Sequence, residues 1–204
     1  MFRVLDIKNN KIYVHHHPYQ NSCLFYLNLD NVIEMYPEEL ENEDDNVIPI
    51  LDINRNSNNY ILMEYINFVD MNPYKIYEYD IIKNNKIKDS DEHHVVFWES
   101  EKFGFNMIKN QSCKDIEIAG DLFDVKFVIE LFNSNDAGLL EFLNKSIFLV
   151  EENKEIFTNC LNTMSSIIDS DEDYFNSERY KVEWLIYCKL IRIYTKKGLE
   201  LLGY

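Results

Sequence analysis

Glycine and proline are both scarce in this chain, five and four in 204 residues. Glycine lets a backbone approach a phosphate closely, so this scarcity disfavours Gly-rich phosphate loops and dinucleotide-binding turns, and neither fingerprint occurs. It disfavours low-complexity linkers as well. Cysteine is as sparse: Cys23, Cys113, Cys160 and Cys188 are far apart, with no Cys-x-x-Cys. That spacing argues against a zinc knuckle or a dithiol redox motif and reads as small buried side chains. Long apolar runs are missing. The nearest, 184–193, is interrupted by Lys189 and Arg192, and a membrane-spanning helix needs about 18 or more uninterrupted apolar residues. The first ten residues place Asp6 and Lys8 inside their only apolar stretch, unlike a signal peptide. A cytoplasmic protein without a membrane segment is expected.

Positive charge is also in short supply. The chain carries 20 Lys and Arg against 36 Asp and Glu, a formal net charge of -16 with a pI near 4.6. The imbalance is local. Residues 1–173 hold 14 basic and 33 acidic side chains, a balance of -19, whereas 174–204 hold 6 and 3, a balance of +3. Six acids (Glu38, Glu39, Glu41, Glu43, Asp44 and Asp45) fall within eight residues. Such a surface repels nucleic acid and attracts basic partners. Hydrophobic residues nonetheless make up 46% of the chain and aromatics 14%, enough to build a core.

The first two thirds read as strands. Apolar runs at 2–7 and 11–16 flank an Asn-Asn turn, and Asn tolerates the positive φ of a tight hairpin. Further strands are expected at 22–29, 32–35, 47–53, 60–69, 74–82, 95–98, 103–108 and 116–119. Residues 123–132 fit either a buried strand or a helical face. Beyond Asn133 the pattern turns helical: a short helix at 137–144 capped by Asn135-Asp136, an amphipathic helix at 153–168 and a long helix at 178–202. On that last helix the apolar face is expected at Val182, Leu185, Ile186, Leu190 and Ile193. The expected architecture is α+β: an antiparallel β-rich region over 1–133 packed against a helical region over 134–204, together one compact unit.

A second Lys-Asn-Asn-Lys, at 83–86, echoes the one at 8–11. The likeness stops after about seven residues, so unrelated hairpins in a compositionally biased chain explain it better than a duplication.

Histidine is the first residue type to weigh for chemistry. His15 and His17 share a face if they lie on a strand, and His93 or His94 with nearby acids can complete a metal site. This is the alternative reading, a metal-dependent enzyme. Adjacent histidines on a strand face opposite ways, so at most one of His93 and His94 can join, and no spacing matches a known ligand pattern. Asp169, Asp171 and Asp173 stand at calcium-loop positions one, three and five. Tyr174 and Tyr180 then occupy the positions where the loop needs its Gly and its bidentate Glu, so a solvated interhelical loop is the better reading. A Gly-x-Ser-x-Gly elbow is absent, and no Cys is singled out as a nucleophile. No cofactor and no catalytic residue are expected, and the chain reads as a non-enzyme.

What remains is acid interleaved with Tyr, a residue that gives interfaces large contact area at low entropic cost. Glu38, Glu39, Glu41, Glu43, Asp44 and Asp45, with Asp89, Asp91, Glu92 and Tyr36, form the candidate partner-binding set. The leading expectation is an acidic inhibitory binding protein, most concretely a bacterial immunity protein that covers the active site of a cognate basic, nuclease-type toxin. Its partner is a basic protein, with no nucleic acid and no membrane involved.

Overall fold

The computed structural model describes residues 1–15, 22–27, 33–37, 51–53, 60–85, 93–99, 104–105, 112–144, 151–168 and 177–201. Contacts divide the chain into two units, Met1–Tyr65 and Ile66–Tyr204.

The first unit is a sheet. β1 (Phe2–Asp6) and β2 (Lys11–His15) form the hairpin expected from the Asn-Asn turn. Asp6 closes it. Its carboxylate accepts the Lys8 and Asn9 backbone N–H groups at 3.0 and 3.1 Å and the Asn9 side-chain amide at 2.7 Å. Asn10 then takes φ 48°, the left-handed region that Asn enters at little cost. β1 pairs on its other side with the opening residues of β6 (Tyr60–Val69), antiparallel. β3 (Ser22–Leu27), β4 (Ile33–Pro37) and β5 (Leu51–Ile53) extend the sheet in the order β5-β4-β3-β2-β1-β6. One ladder departs from the antiparallel pattern: β2 and β3 run parallel. Val4, Leu5, Ile7, Val14, Ile61 and Met63 are its buried apolar side chains among the described residues.

In the second unit the end of β6 is followed by β7 (Lys75–Tyr77), β8 (Asp80–Asn84), β9 (His93–Val95), β10 (Trp98–Glu99), β11 (Gly104–Phe105) and β12 (Ile116–Asp121). β12, β8 and β9 form an antiparallel sheet in that order, with a bulge between Ile118 and Gly120. Ile76, Ile82, Val96 and Ile116 are its fully buried centre, with Ile66, Phe68 and Ile118 packed around them. The single strand expected at 74–82 is two strands. Tyr79 takes φ 68°, and the Asp80 carboxylate accepts the Tyr77 N–H at 2.8 Å, so a turn interrupts the pleat.

The ambiguous stretch at 123–132 is helix α1 (Val125–Asn133). Asp124 caps it, accepting the Phe127 N–H at 3.1 Å. The caps decide what apolar content leaves open. α2 (Ala137–Phe142) starts at Asp136, and Asn135 before it takes φ 56°. α3 (Glu151–Ile168) and α4 (Glu178–Leu201) pack on each other, the Phe157 ring stacking on Tyr187 at 5.8 Å. The Tyr187 hydroxyl donates to the Leu122 carbonyl at 2.7 Å, which fixes α4 to the turn after β12.

The buried face of α4 differs from the expected one. Tyr180, Trp184, Tyr187, Cys188 and Ile191 are buried, while Val182 and Ile186 are 58% and 44% exposed. The aromatic stripe wins because Trp and Tyr remove more area from water than Val and Ile.

Candidate functional site

The best-organised polar site among the described residues lies where α2 meets β9, both in the second unit. Asp136 is buried and serves two masters. One carboxylate oxygen accepts the Leu139 N–H at 2.9 Å and caps α2. The other accepts the His93 backbone N–H at 3.2 Å and lies 2.9 Å from Nδ1 of the His93 ring. The ring stands edge-on to Phe127, with centroids 5.6 Å apart. Gly138 makes the contact possible: a Cβ there would fall 1.2 Å from the His93 carbonyl oxygen. A carboxylate on Nδ1 is also the pairing that orients a catalytic imidazole. Here the same carboxylate holds two backbone groups besides, so it works as a clasp between helix and strand.

Two further carboxylates hold turns. Asp70 accepts the Asn72 and Tyr74 N–H groups at 2.8 and 2.9 Å, while Asp121 accepts those of Phe123 and Asp124 at 2.8 and 3.1 Å. Tyr79 and Asp80 exchange backbone bonds with Val96, and Leu122 donates to the Tyr79 carbonyl. Asp70 and Asp121 each accept backbone N–H groups close by in sequence, which is how short polar side chains stabilise turns.

The thiols of Cys160 and Cys188 are poor nucleophiles at neutral pH. Burial, helped by the nearby Glu183 carboxylate, pushes Cys160 up to about 11. Cys188 is raised as well, first by burial and then by Asp121 and Cys160. Burial also raises the Tyr187 phenol. It lowers the Arg192 guanidinium, against the opposing influence of Tyr79. Thiolate is the reactive form, so groups held this way stay inert.

The residues expected to carry function are placed unevenly. His93 and His94 lie on β9, opposite Lys83 and Ile82 of β8. His93 is drawn to Asp136, a partner 43 positions away that sequence spacing did not reveal. His15 ends β2, its backbone in register with Cys23. His17 lies outside the described residues, as do Glu38, Glu39, Glu41, Glu43, Asp44, Asp45, Asp89, Asp91, Glu92 and the acidic stretch at 169–173. Tyr36 lies on β4, paired in register with Leu24. Among the described residues no group of three or more His, Cys, Asp or Glu is placed to hold a metal ion, and no helix is long and apolar enough to cross a membrane.

Three comparisons place the chain among known proteins. The crystal structure of yopX from Bacillus subtilis is similar at 16% identity and a TM-score of 0.35, covering 59% of this chain and 91% of that one. No functionally curated protein matches. The model of the YopX protein family matches residues 1–129. The family match corrects the expectation of an immunity protein inhibiting a toxin: it is a match to the YopX protein family, and nothing in it supports toxin inhibition. That expectation, and the metal-dependent enzyme set beside it, rested on charge and histidine spacing, which proteins of many kinds share. The match takes in more than half of the 204 residues, and the chain belongs to the YopX protein family.

Proposed function

We propose that this YopX-family chain acts in the cytoplasm as a non-catalytic binding protein whose partner is a basic protein. One observation carries the reading. The carboxylates buried among the described residues, Asp6, Asp70, Asp80, Asp115 and Asp136, are all aspartates. Four of them are seen gripping backbone N–H groups of turns, a cap or a strand. The fold thus uses five short acids internally, and the other 31 acids against 20 basic residues leave a surplus of 11 negative charges in the rest of the chain. A surplus of that size speeds encounter with a positive surface and loses its effect as salt rises.

The test is retention of partners from a lysate of the source organism on immobilised full-length chain. The expected result is a basic protein that elutes with rising salt. A variant with Glu38, Glu39, Glu41, Glu43, Asp44 and Asp45 changed to Gln or Asn should retain it about tenfold less. Retention that ignores both salt and these six changes would sink the charge-steered reading.

A further inference from the structure

The outer face of α4 is the least explained surface among the described residues. It lies beyond the family match, which ends at residue 129. α4 turns its aromatic stripe inward, so a helical repeat of about 100° per residue leaves Val182 and Ile186, one turn apart, on the opposite side. Their exposure agrees with that placement. Three cations and one exposed acid, Glu178, flank the pair. Arg179 is one turn before Val182 with 65% of its side chain exposed, Lys189 follows Ile186 and is exposed, and Lys181 adjoins them. Arg179 pairs with Glu183 at 3.0 Å and Lys181 with Glu178 at 2.6 Å. The Lys181 pair is exposed on both sides and is worth at most about 1 kcal/mol, while Arg179 is exposed over a Glu183 that is only 16% exposed and keeps a solvent-facing side from which to meet a further acceptor.

An aliphatic pair with Arg179 and Lys189 at its two ends, three cations against the one exposed acid Glu178, narrows the choice of occupant. A second copy fits poorly. Antiparallel pairing centred between Val182 and Ile186 sets Arg179 against Lys189, and parallel pairing sets each Lys189 against its equivalent. Like charges facing one another across a helix seam are unfavourable. The complementary occupant carries aliphatic residues at three- and four-residue spacing, flanked by carboxylates about 15 Å apart to meet Arg179 and Lys189, ten residues apart on α4. We infer that this face of α4 docks an acidic amphipathic helix of another protein. The surface is distinct from the acidic set proposed above and takes a partner of the opposite charge.

The test uses the full-length chain and fluorescence anisotropy with a labelled acidic amphipathic peptide about three heptads long, Leu on one face and Glu flanking it. A second peptide replaces each Glu with Lys. The acidic peptide should bind and the Lys peptide should not. Ile186→Asp and Lys189→Glu should each weaken binding about tenfold, and both positions are exposed, so the fold is expected to survive. Val182→Ser serves as a milder variant if either one misfolds. Four results would overturn the inference: no binding of the acidic peptide, equal binding of both peptides, indifference to all three substitutions, or displacement of the peptide by duplex DNA. A dimer in sedimentation that Ile186→Asp disperses would also overturn it by assigning the face to a second copy.

Discussion

At Gly138 a single hydrogen atom decides whether α2 can reach β9. A methyl group there would lie 1.2 Å from the His93 carbonyl oxygen, and that neighbour is backbone, unable to swing aside. Gly138→Ala should therefore cost about 3 kcal/mol or more, at the upper end of overpacking penalties. Gly120 makes a useful contrast. Its added Cβ meets the Phe127 ring at 2.7 Å, and a ring can shift, so Gly120→Ala should cost about 1 kcal/mol. Urea unfolding of the two variants checks the order, and equal losses would refute the assignment of the clash to rigid backbone. Cys160 offers a pH-dependent test at the same scale. The fold favours its protonated thiol, raising it from an ordinary 9.0 to about 11. The stabilisation is then present below pH 9 and fades as pH rises through about 11. In a variant with the other three cysteines changed to Ser, alkylation by iodoacetamide should be slow at pH 7 and should climb with a midpoint near 11. A midpoint near 9 would show that burial does not act on this thiol.

At the level of elements, α4 shows where packing overrides a pattern read by eye. The aliphatic positions Val182, Leu185, Ile186, Leu190 and Ile193 looked like the core stripe, yet the rings at Tyr180, Trp184 and Tyr187 occupy it. The consequence is measurable. Trp184→Ala should lose about 3–5 kcal/mol, the cost of emptying a buried aromatic site, while Ile186→Ala should stay within about 0.5 kcal/mol. Thermal unfolding followed by circular dichroism separates the two, and a large loss at Ile186 would return the core to the aliphatic face. Elsewhere the local signals were legible. The Asn-Asn hairpin, the cap at Asp136 and the lengths of α3 and α4 follow from turn chemistry, capping and periodicity. The break at Tyr79 was not legible, because a non-glycine residue in the left-handed region is held there by its N–H bond to the Val96 carbonyl and by the Leu122 N–H bond to its own carbonyl, both partners distant in sequence. The reach of Asp136 to His93 escaped for the same reason. Of the candidate partner-binding set only Tyr36 falls on a described element, β4, so most of that set stays a sequence-level expectation.

For the molecule as a whole, charge is the property most open to experiment. A net charge of -16 on 204 residues means that the folded chain confines mutually repelling carboxylates that the unfolded chain can spread apart. Salt weakens that repulsion, since the screening length falls from about 30 Å at 0.01 M to about 8 Å at 0.15 M. The protein should therefore gain about 1 kcal/mol, or about 2–4 °C in Tm, between those two salt concentrations. The opposite sign is expected of a fold held mainly by surface ion pairs, because screening loosens them. Changing Glu38, Glu39, Glu41, Glu43, Asp44 and Asp45 to Gln or Asn removes six negative charges. The salt-induced rise should shrink in that variant, and its Tm at low salt should exceed that of the parent. Scanning calorimetry at the two salt concentrations decides the matter. A fall of Tm with salt in the parent would mean that attraction between the basic residues of 174–204 and the acids elsewhere outweighs the repulsion.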